Sequence, residues 1–552
     1  MIKIKVAGPP GTGKTTYLVE RYYDAIQKYS AADIVVISHT NTAADHIRDE
    51  INNTKNIDNY YKETGKDVLK LIQESKKILK LNVSTIHKYC KDQLKGSDVF
   101  DISDFELLKQ HFPIFNRHTA NRKYGYIEGL LKGHPFFKFI GFSRDNGKEP
   151  TPYYRSLSYE DKKDYKYSIQ ELIDMNDLYI KYKTDPVLNQ GRTEVLDFQD
   201  MIKSFTKLPK DPIIKVLMVD EAQDSSALQR AAEEKMARNC DLFYKAGDPD
   251  QSIFEFAGAD PHSFHLEFAH PEVELDLGYR CPRKINEWCK EVINPIWKHY
   301  KYSRTWKPRE ELDKDGKRNG VVVEGEIYPL MNLKQDPNLH LLIDKLLNTR
   351  DTFIFTHRSG EPYEIIEFLR KNNLPYKFIK RYEKLEKSYF YPKQEVELQR
   401  EYLTFSKGES KKWNICKKLL NGISSEYHGP RNNAENIEKL IRKSYTVDDL
   451  IQQQFLLPII KKTSDYQELT ENDLKIKAYI RNIVNNNRDL QDITISVANV
   501  HTIKGREFNH VILDLALTRE EQSEFSKRRI KFVAGSRARD TLWLIKSKGL
   551  SL

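Results

Sequence analysis

Cysteine is scarce in this chain: five residues in 552, at Cys90, Cys240, Cys281, Cys289 and Cys416, with no CxxC pair among them. A scattered, odd set of this kind excludes a disulfide framework, a zinc ribbon and a cysteine-ligated cluster, and predicts a reducing compartment. No uninterrupted apolar run approaches the length of a membrane span, which argues against a membrane partner. The N-terminus lacks the basic start, apolar stretch and small-residue cleavage site of a secretory signal. These absences predict an untargeted, intracellular, cytoplasmic protein, and composition does not separate a virus, a plasmid or a cell as its source. Internal repeats and long low-complexity tracts are also lacking, so neither a solenoid nor a disordered tail is expected.

Charge is plentiful. Lys and Arg number 90 against 80 Asp and Glu, a balance of +10 that favours a polyanionic partner. The excess is concentrated between Arg370 and Lys418, where fourteen basic residues face six acidic ones and alternate with Tyr376, Phe378, Tyr382, Tyr389, Phe390, Tyr391, Tyr402, Phe405 and Trp413. Basic groups neutralise phosphates and aromatics stack bases, so this stretch, with Lys411, Lys412, Lys417 and Lys418, is a candidate duplex-binding surface or partner dock; some of its aromatics must be core. A looser stretch from Arg117 to Tyr167, with Arg122, Lys123, Tyr124, Phe136, Phe137, Tyr153 and Tyr154, has the same character.

A chain this long must divide into several domains. Short apolar runs at 34–38, 215–220, 241–246, 352–356, 494–498, 510–515 and 541–545, with helical patterns between them, predict strands of parallel α/β sheets. The segments 88–189 and 381–492 interrupt that alternation with polar, aromatic-rich, mostly helical sequence and look like insertions.

Residues 8–15 read GPPGTGKT, after an alternating strand pattern (Ile2, Ile4, Val6) and before a helical one (Tyr17, Leu18, Tyr22, Ile26). This is the setting of a phosphate-binding loop. Gly8, Gly11 and Gly13 let backbone N–H groups converge on one phosphate, Lys14 reaches the β/γ oxygens, and the Thr15 hydroxyl can ligate Mg²⁺. A strand ending in acid belongs beside such a loop, and VDEAQD at 219–224 supplies it: Asp220 for the metal, Glu221 as base for the water that attacks the γ-phosphate.

Read in order, these motifs resemble the UvrD/Rep-type helicases of superfamily 1. After the loop come SHTNTAADHI (38–47), STIHKYC (84–90), LDFQDMI (196–202), DEAQDSSALQ (220–229), GDPDQSIFEFAGA (247–259), LGYR (277–280), HTIKGREF (501–508) and RRIKFVAGSRAR (528–539). The resemblance implies an α/β fold with two RecA-like, parallel-sheet P-loop motor domains, at 1–87 with 190–270 and at 271–380 with 493–552. Each carries a mostly helical accessory insertion, 88–189 and a reduced 381–492. It implies an ATP site made of Gly8, Pro9, Pro10, Gly11, Thr12, Gly13, Lys14, Thr15, Thr16, Tyr279, Arg280, Gly505, Glu507 and Arg537, in a cleft between the lobes. Catalysis falls to Lys14, Glu221, Gln251, Arg280 and Arg537, and Mg²⁺ to Thr15 and Asp220. Tyr279 stacks on adenine, Glu507 binds the ribose, Gln251 senses the γ-phosphate, and the two arginines act as arginine fingers. His39, Thr40, Asn41, Thr85, His87, Phe254, Phe256 and His501 form the implied nucleic-acid track.

The implied activity is ATP-dependent translocation on single-stranded DNA, 3′ to 5′, with unwinding at single-strand/duplex junctions and a replication, repair or defence protein as possible partner. Departures from the family pattern are His39 for a stacking phenylalanine, Phe256 for a tryptophan, Ala257 for a coupling arginine, and Asn499 and Ser536 for threonines. An adenine-reading glutamine upstream of the loop has no counterpart in the seven preceding residues, which predicts a relaxed preference for ATP among nucleoside triphosphates. Two other readings stay open: a DNA-stimulated ATPase switch that loads or remodels a partner, and an RNA helicase.

Overall fold

The computed structural model describes residues 1–94, 97–117, 134–157, 162, 165–255, 258–266, 272–314, 318–333, 336, 339–349, 351–357, 363–379, 389–390, 393–430, 444–462, 465–470, 474–485, 494–515 and 523–546. The chain forms two compact units, 1–324 with 522–536 and 325–521 with 537–552.

The first unit is organised on a six-stranded parallel sheet. Its strands are β1 (Ile2–Ala7), β2 (Ile34–Ser38), β3 (Val83–Thr85), β4 (Val216–Val219), β5 (Leu242–Gly247) and β6 (Glu272–Glu274), in spatial order β3-β2-β4-β5-β1-β6. Helices cover both faces, which is why the central strands are continuous apolar runs. In β2, Ile34 and Val36 pack with Leu18, Val19 and Tyr22 on one face, while Val35 and Ile37 pack with Leu217, Val219 and Phe243 on the other.

The insertion in this unit has its own aromatic core. Phe100, Phe105, Phe115, Phe136, Phe137, Phe139, Tyr153 and Tyr179 are buried together, so Phe136, Phe137 and Tyr153 hold the insertion together and are not available to nucleic-acid bases. The LDFQD segment anchors it. Asp197 caps the helix Phe198–Lys207, and its carboxylate accepts hydrogen bonds from Arg144 (2.8 Å), Lys183 (3.3 Å) and Tyr179 (3.0 Å) of the insertion. Burial works against ionising Asp197, but Lys183 and Arg144 outweigh it and hold the carboxyl well below the usual range. Asp197→Asn leaves Asp200 to share the two cations, so the expected loss of stability is about 2–3 kcal/mol, measured by urea unfolding. A change under about 0.5 kcal/mol would count against this anchor.

The second unit contains a seven-stranded sheet of β7 (Glu326–Asn332), β8 (Phe353–His357), β9 (Lys377–Phe378), β10 (Tyr389–Phe390), β11 (Ile495–Asn499), β12 (Phe508–Asp514) and β13 (Ala538–Lys546). Its order is β7-β13-β12-β8-β11-β9-β10, parallel except for the β9/β10 pair. Both sheets have the parallel α/β architecture of RecA-like domains. The second insertion again has a separate core, in which Tyr402, Phe405, Cys416, Leu419, Leu420 and Tyr466 are buried. Tyr376 is buried under the main sheet. The aromatics of the Arg370–Lys418 stretch that pack inside include Tyr376, Tyr402 and Phe405, and Lys411, one of the candidate surface lysines, is held by Glu401 (3.0 Å) and Glu409 (3.3 Å). Lys412, Lys417 and Lys418 remain exposed, whereas Tyr382 and Tyr391 lie outside the described residues. All five cysteines are buried. No helix among the described residues is long and apolar enough to cross a membrane.

Candidate nucleotide and nucleic-acid site

Parallel strands place all their C-terminal ends on one edge of a sheet, where ligands of open α/β folds bind. In the first unit that edge gathers the candidate residues. The GPPGTGKT loop follows β1, the acid pair follows β4, and Asp248 to Phe254 follow β5. His39, Thr40 and Asn41 follow β2, and Thr85 and His87 lie where β3 ends.

The loop needs its glycines. Gly11 and Gly13 have φ of 70° and 84°, in the left-handed region, and a Cβ on Gly11 would sit 2.7 Å from Cβ of Arg280. A Cβ on Gly8 would meet Thr12 Oγ1 at 2.5 Å. Pro9 accepts from the Thr12 hydroxyl at 2.8 Å, closing the turn around Pro10. Gly13 then caps the helix Lys14–Ile26 without a side chain, so the first N–H groups of that helix, including those of Thr15 and Thr16, face the loop at the positive end of the helix dipole. Lys14 is buried and donates to the carbonyls of Gly8 (2.7 Å) and Pro9 (3.2 Å). Burial lowers its pKa, opposed by Asp248, Glu221 and Asp220.

The metal assignment fits the donors. Thr15 Oγ1 donates to Asp220 Oδ2 at 3.0 Å, which sets a hydroxyl and a carboxylate side by side at the loop. Two hard oxygens suit Mg²⁺, which keeps water ligands and takes phosphate oxygens. Among the described residues no group of three or more His, Cys, Asp or Glu could hold a metal. Burial and the neighbouring Glu221 push the Asp220 carboxyl up to about 6. Glu221 has a left-handed backbone (φ 55°), rare outside glycine, and its carboxylate accepts from Gln223 Nε2 at 2.5 Å. Gln223 in turn accepts from the Asp248 N–H at 2.9 Å, and Gln251 donates to Asp248 Oδ2 at 2.8 Å. Hence Glu221 and Gln251, 30 positions apart, belong to one hydrogen-bonded chain through Gln223 and Asp248.

Several members of this network were not singled out from sequence. Asp248 is buried and paired with Arg304. Asp250 accepts from Trp297 (2.7 Å) and Tyr302 (2.6 Å), and burial with the adjacent Asp248 pushes it up to about 6. The acid-rich GDPDQ string was a visible signal for the two aspartates; Arg304, Trp297 and Tyr302 carry no local signature.

Tyr279 and Arg280 reach the loop. Tyr279 N–H donates to Gly11 O at 2.8 Å, the residue is 52% exposed, and Arg280 Nη1 lies 3.5 Å from Ser536 O. On the track side, Thr40 and Thr85 each cap a helix, accepting from the N–H of Ala43 (3.1 Å) and Lys88 (3.4 Å). Asn41 is exposed. His39 Nε2 is 3.2 Å from Ser225 Oγ, His87 meets Phe198 edge-on at 5.5 Å, and Phe254 is half-buried. Phe256 and Ala257 lie outside the described residues. In the second unit Gly505 has φ 84°, Glu507 pairs with Arg539 at 2.6 Å, and the buried Arg537 accepts the Phe508 N–H through its carbonyl at 3.0 Å. His501 sits in the short helix Val500–Ile503, capped by Asn499.

Residues 2–270 match the UvrD/REP helicase N-terminal domain. The chain is similar to ATP-dependent DNA helicase Rep of Buchnera aphidicola subsp. Baizongia pistaciae, 23% identical over 303 residues that cover 51% of this chain and 40% of that protein. It is similar also to ATP-dependent DNA helicase PcrA of Bacillus subtilis (30% over 132 residues, 22% and 17%) and to ATP-dependent DNA helicase srs2 of Schizosaccharomyces pombe (26% over 324 residues, 52% and 33%). The matched stretches therefore span less than two thirds of these relatives. The phosphate loop, the acid pair and the glutamine gathered at one sheet edge all lie inside the stretch that matches the UvrD/REP helicase N-terminal domain.

Proposed function

We propose that this chain is an ATP-dependent DNA helicase that translocates on single-stranded DNA, 3′ to 5′, and unwinds duplex DNA at junctions. The observation that carries the reading is the Thr15–Asp220 contact beside Lys14 and Glu221, on the sheet edge that also bears His39, Thr40, Thr85 and His87. Lys14 moves from the carbonyls of Gly8 and Pro9 onto the β/γ-phosphate oxygens, and the loop N–H groups hold the same phosphates. Thr15 and Asp220 would hold Mg²⁺, which would neutralise the phosphate charge. Glu221 takes the proton of the attacking water as the bond to the leaving ADP oxygen breaks. Gln251 shares Asp248 with the Gln223–Glu221 chain and so links hydrolysis to the segment that leads to Phe254. Stacking on Phe254 and backbone contacts at Thr85 and His87 favour binding without sequence preference. For Glu507, Arg537 and His501, in the second unit, the family resemblance alone supports roles at the ribose, the γ-phosphate and the nucleic acid.

A second reading has an observation of its own. In the second insertion Tyr402 and Phe405 are core and Lys411 is neutralised by two glutamates, which reduces the surface available for duplex DNA and favours a DNA-stimulated ATPase that works on or with a partner protein. One experiment separates the two: strand separation on duplexes with a 3′ tail, a 5′ tail or none, with ATP hydrolysis followed in the same reactions. Unwinding of the 3′-tailed duplex alone is the expected result. Hydrolysis that rises with DNA while no duplex opens would replace the helicase reading with the switch, and hydrolysis indifferent to DNA would remove both.

A further inference from the structure

One strong contact at the nucleotide loop comes from neither the loop nor the motifs. The antiparallel hairpin of Glu310–Leu312 and Arg318–Val322 belongs to the first unit, and its Arg318 lies across the ring of Tyr279, with the guanidinium carbon 4.3 Å from the ring centre. Arg318 Nη2 also donates to the carbonyl of Gly278 at 2.8 Å, and Nη1 lies 3.7 Å from Glu310 of the facing strand. The side chain is only 17% exposed, so the guanidinium is held in one place. The Tyr279 backbone is tethered too, because its N–H bonds to Gly11 O, and its ring edge lies beside Gly13, 3.9 Å from where a Cβ would stand. Gly278 is held as well, because its N–H donates to the Lys307 carbonyl at 3.0 Å. The residue still remains half exposed.

We propose that Arg318 is a positioning residue for the nucleobase: it occupies one face of Tyr279 and presents the other face, beside the phosphate loop, to a purine. This rests on the nucleotide-binding reading above. An exposed tyrosine on a surface turn normally samples several rotamers, and a ligand that stacks on it must freeze them. A guanidinium over the ring, bonded to the preceding carbonyl, removes that cost before the base arrives, and planar arginine suits the task better than a point charge. The phosphates are gripped by Lys14 and the loop, which Arg318 does not touch, so its contribution is confined to the base end of the nucleotide.

The test compares Arg318→Ala with the wild-type chain in steady-state ATP hydrolysis with saturating single-stranded DNA, using inorganic tripolyphosphate as a competitor that carries no base. The expected result is a rise in KM for ATP of about fivefold with kcat little changed and the inhibition constant of tripolyphosphate unaltered. Arg318→Lys keeps a cation over the ring but loses the planar stack, and is expected to recover part of the affinity. An unchanged KM, a parallel rise for ATP and tripolyphosphate, or a lysine variant as weak as the alanine one would overturn the proposal. Binding of a ribose-labelled fluorescent ATP is measured on the same three proteins. A wild-type chain that binds it without hydrolysis refutes the enzyme reading and still tests Arg318, whereas one that binds no nucleotide overturns both.

Discussion

Lys14→Ala is expected to reduce ATP hydrolysis by at least about a thousandfold and to weaken nucleotide binding as well. Lys14 is buried, and its charge is supported by Asp248, Glu221 and Asp220 while desolvation opposes it. Removal leaves Glu221 and Asp220 facing incoming phosphates without the Lys14 cation, while Asp248 keeps its pairing with Arg304. Ground-state binding falls and transition-state binding falls further, so the apparent affinity and kcat both suffer. Phosphate release and binding of a fluorescent ATP analogue measure the two effects separately. Near-normal turnover would remove the loop from the catalytic assignment.

Glu221→Gln has a different expected signature. Glutamine keeps the size of the side chain and an oxygen that can accept from Gln223 Nε2, but it cannot take a proton from water. Turnover is expected to drop by about a thousandfold with ATP binding retained, and the variant is expected to hold single-stranded DNA tightly in the presence of ATP, because binding is no longer released by hydrolysis. A filter-binding or anisotropy titration with and without ATP reads the trapped complex. Loss of ATP binding in this variant would mean that Glu221 shapes the site and does not act as its base. The contrast between the two variants is more informative than either alone, since a general folding defect would lower both quantities in both proteins.

The nucleotide end of the site was legible in the chain because its chemistry is local. Gly11 and Gly13 adopt the positive φ that a phosphate loop requires, and they are contiguous with the lysine and threonine they serve. Similarly, Asp220 and Glu221 come directly after an apolar run that became β4, so strand, turn and carboxylates could be read together. The aromatic stretches were harder to read. Phe136, Phe137, Tyr402 and Phe405 have the composition of a stacking surface, and only packing distinguishes a ring that meets a base from one that meets another ring.

From its sequence alone, then, this protein's apolar central strands and the local pattern of its phosphate loop and acid pair were legible, because each depends on backbone propensity and periodicity within a few residues, whereas the edge strands Val83–Thr85, Glu272–Glu274 and Glu326–Asn332 were not. Tertiary structure decided which distant residues complete the site. Arg304 neutralises Asp248, Trp297 and Tyr302 satisfy Asp250, and Asp197 clamps Arg144 and Lys183. Arg318 reaches Tyr279 from a hairpin about 40 positions along the chain. A buried carboxylate must find a partner wherever the fold brings one, and the desolvation cost that enforces the pairing exists only once the chain has closed around it.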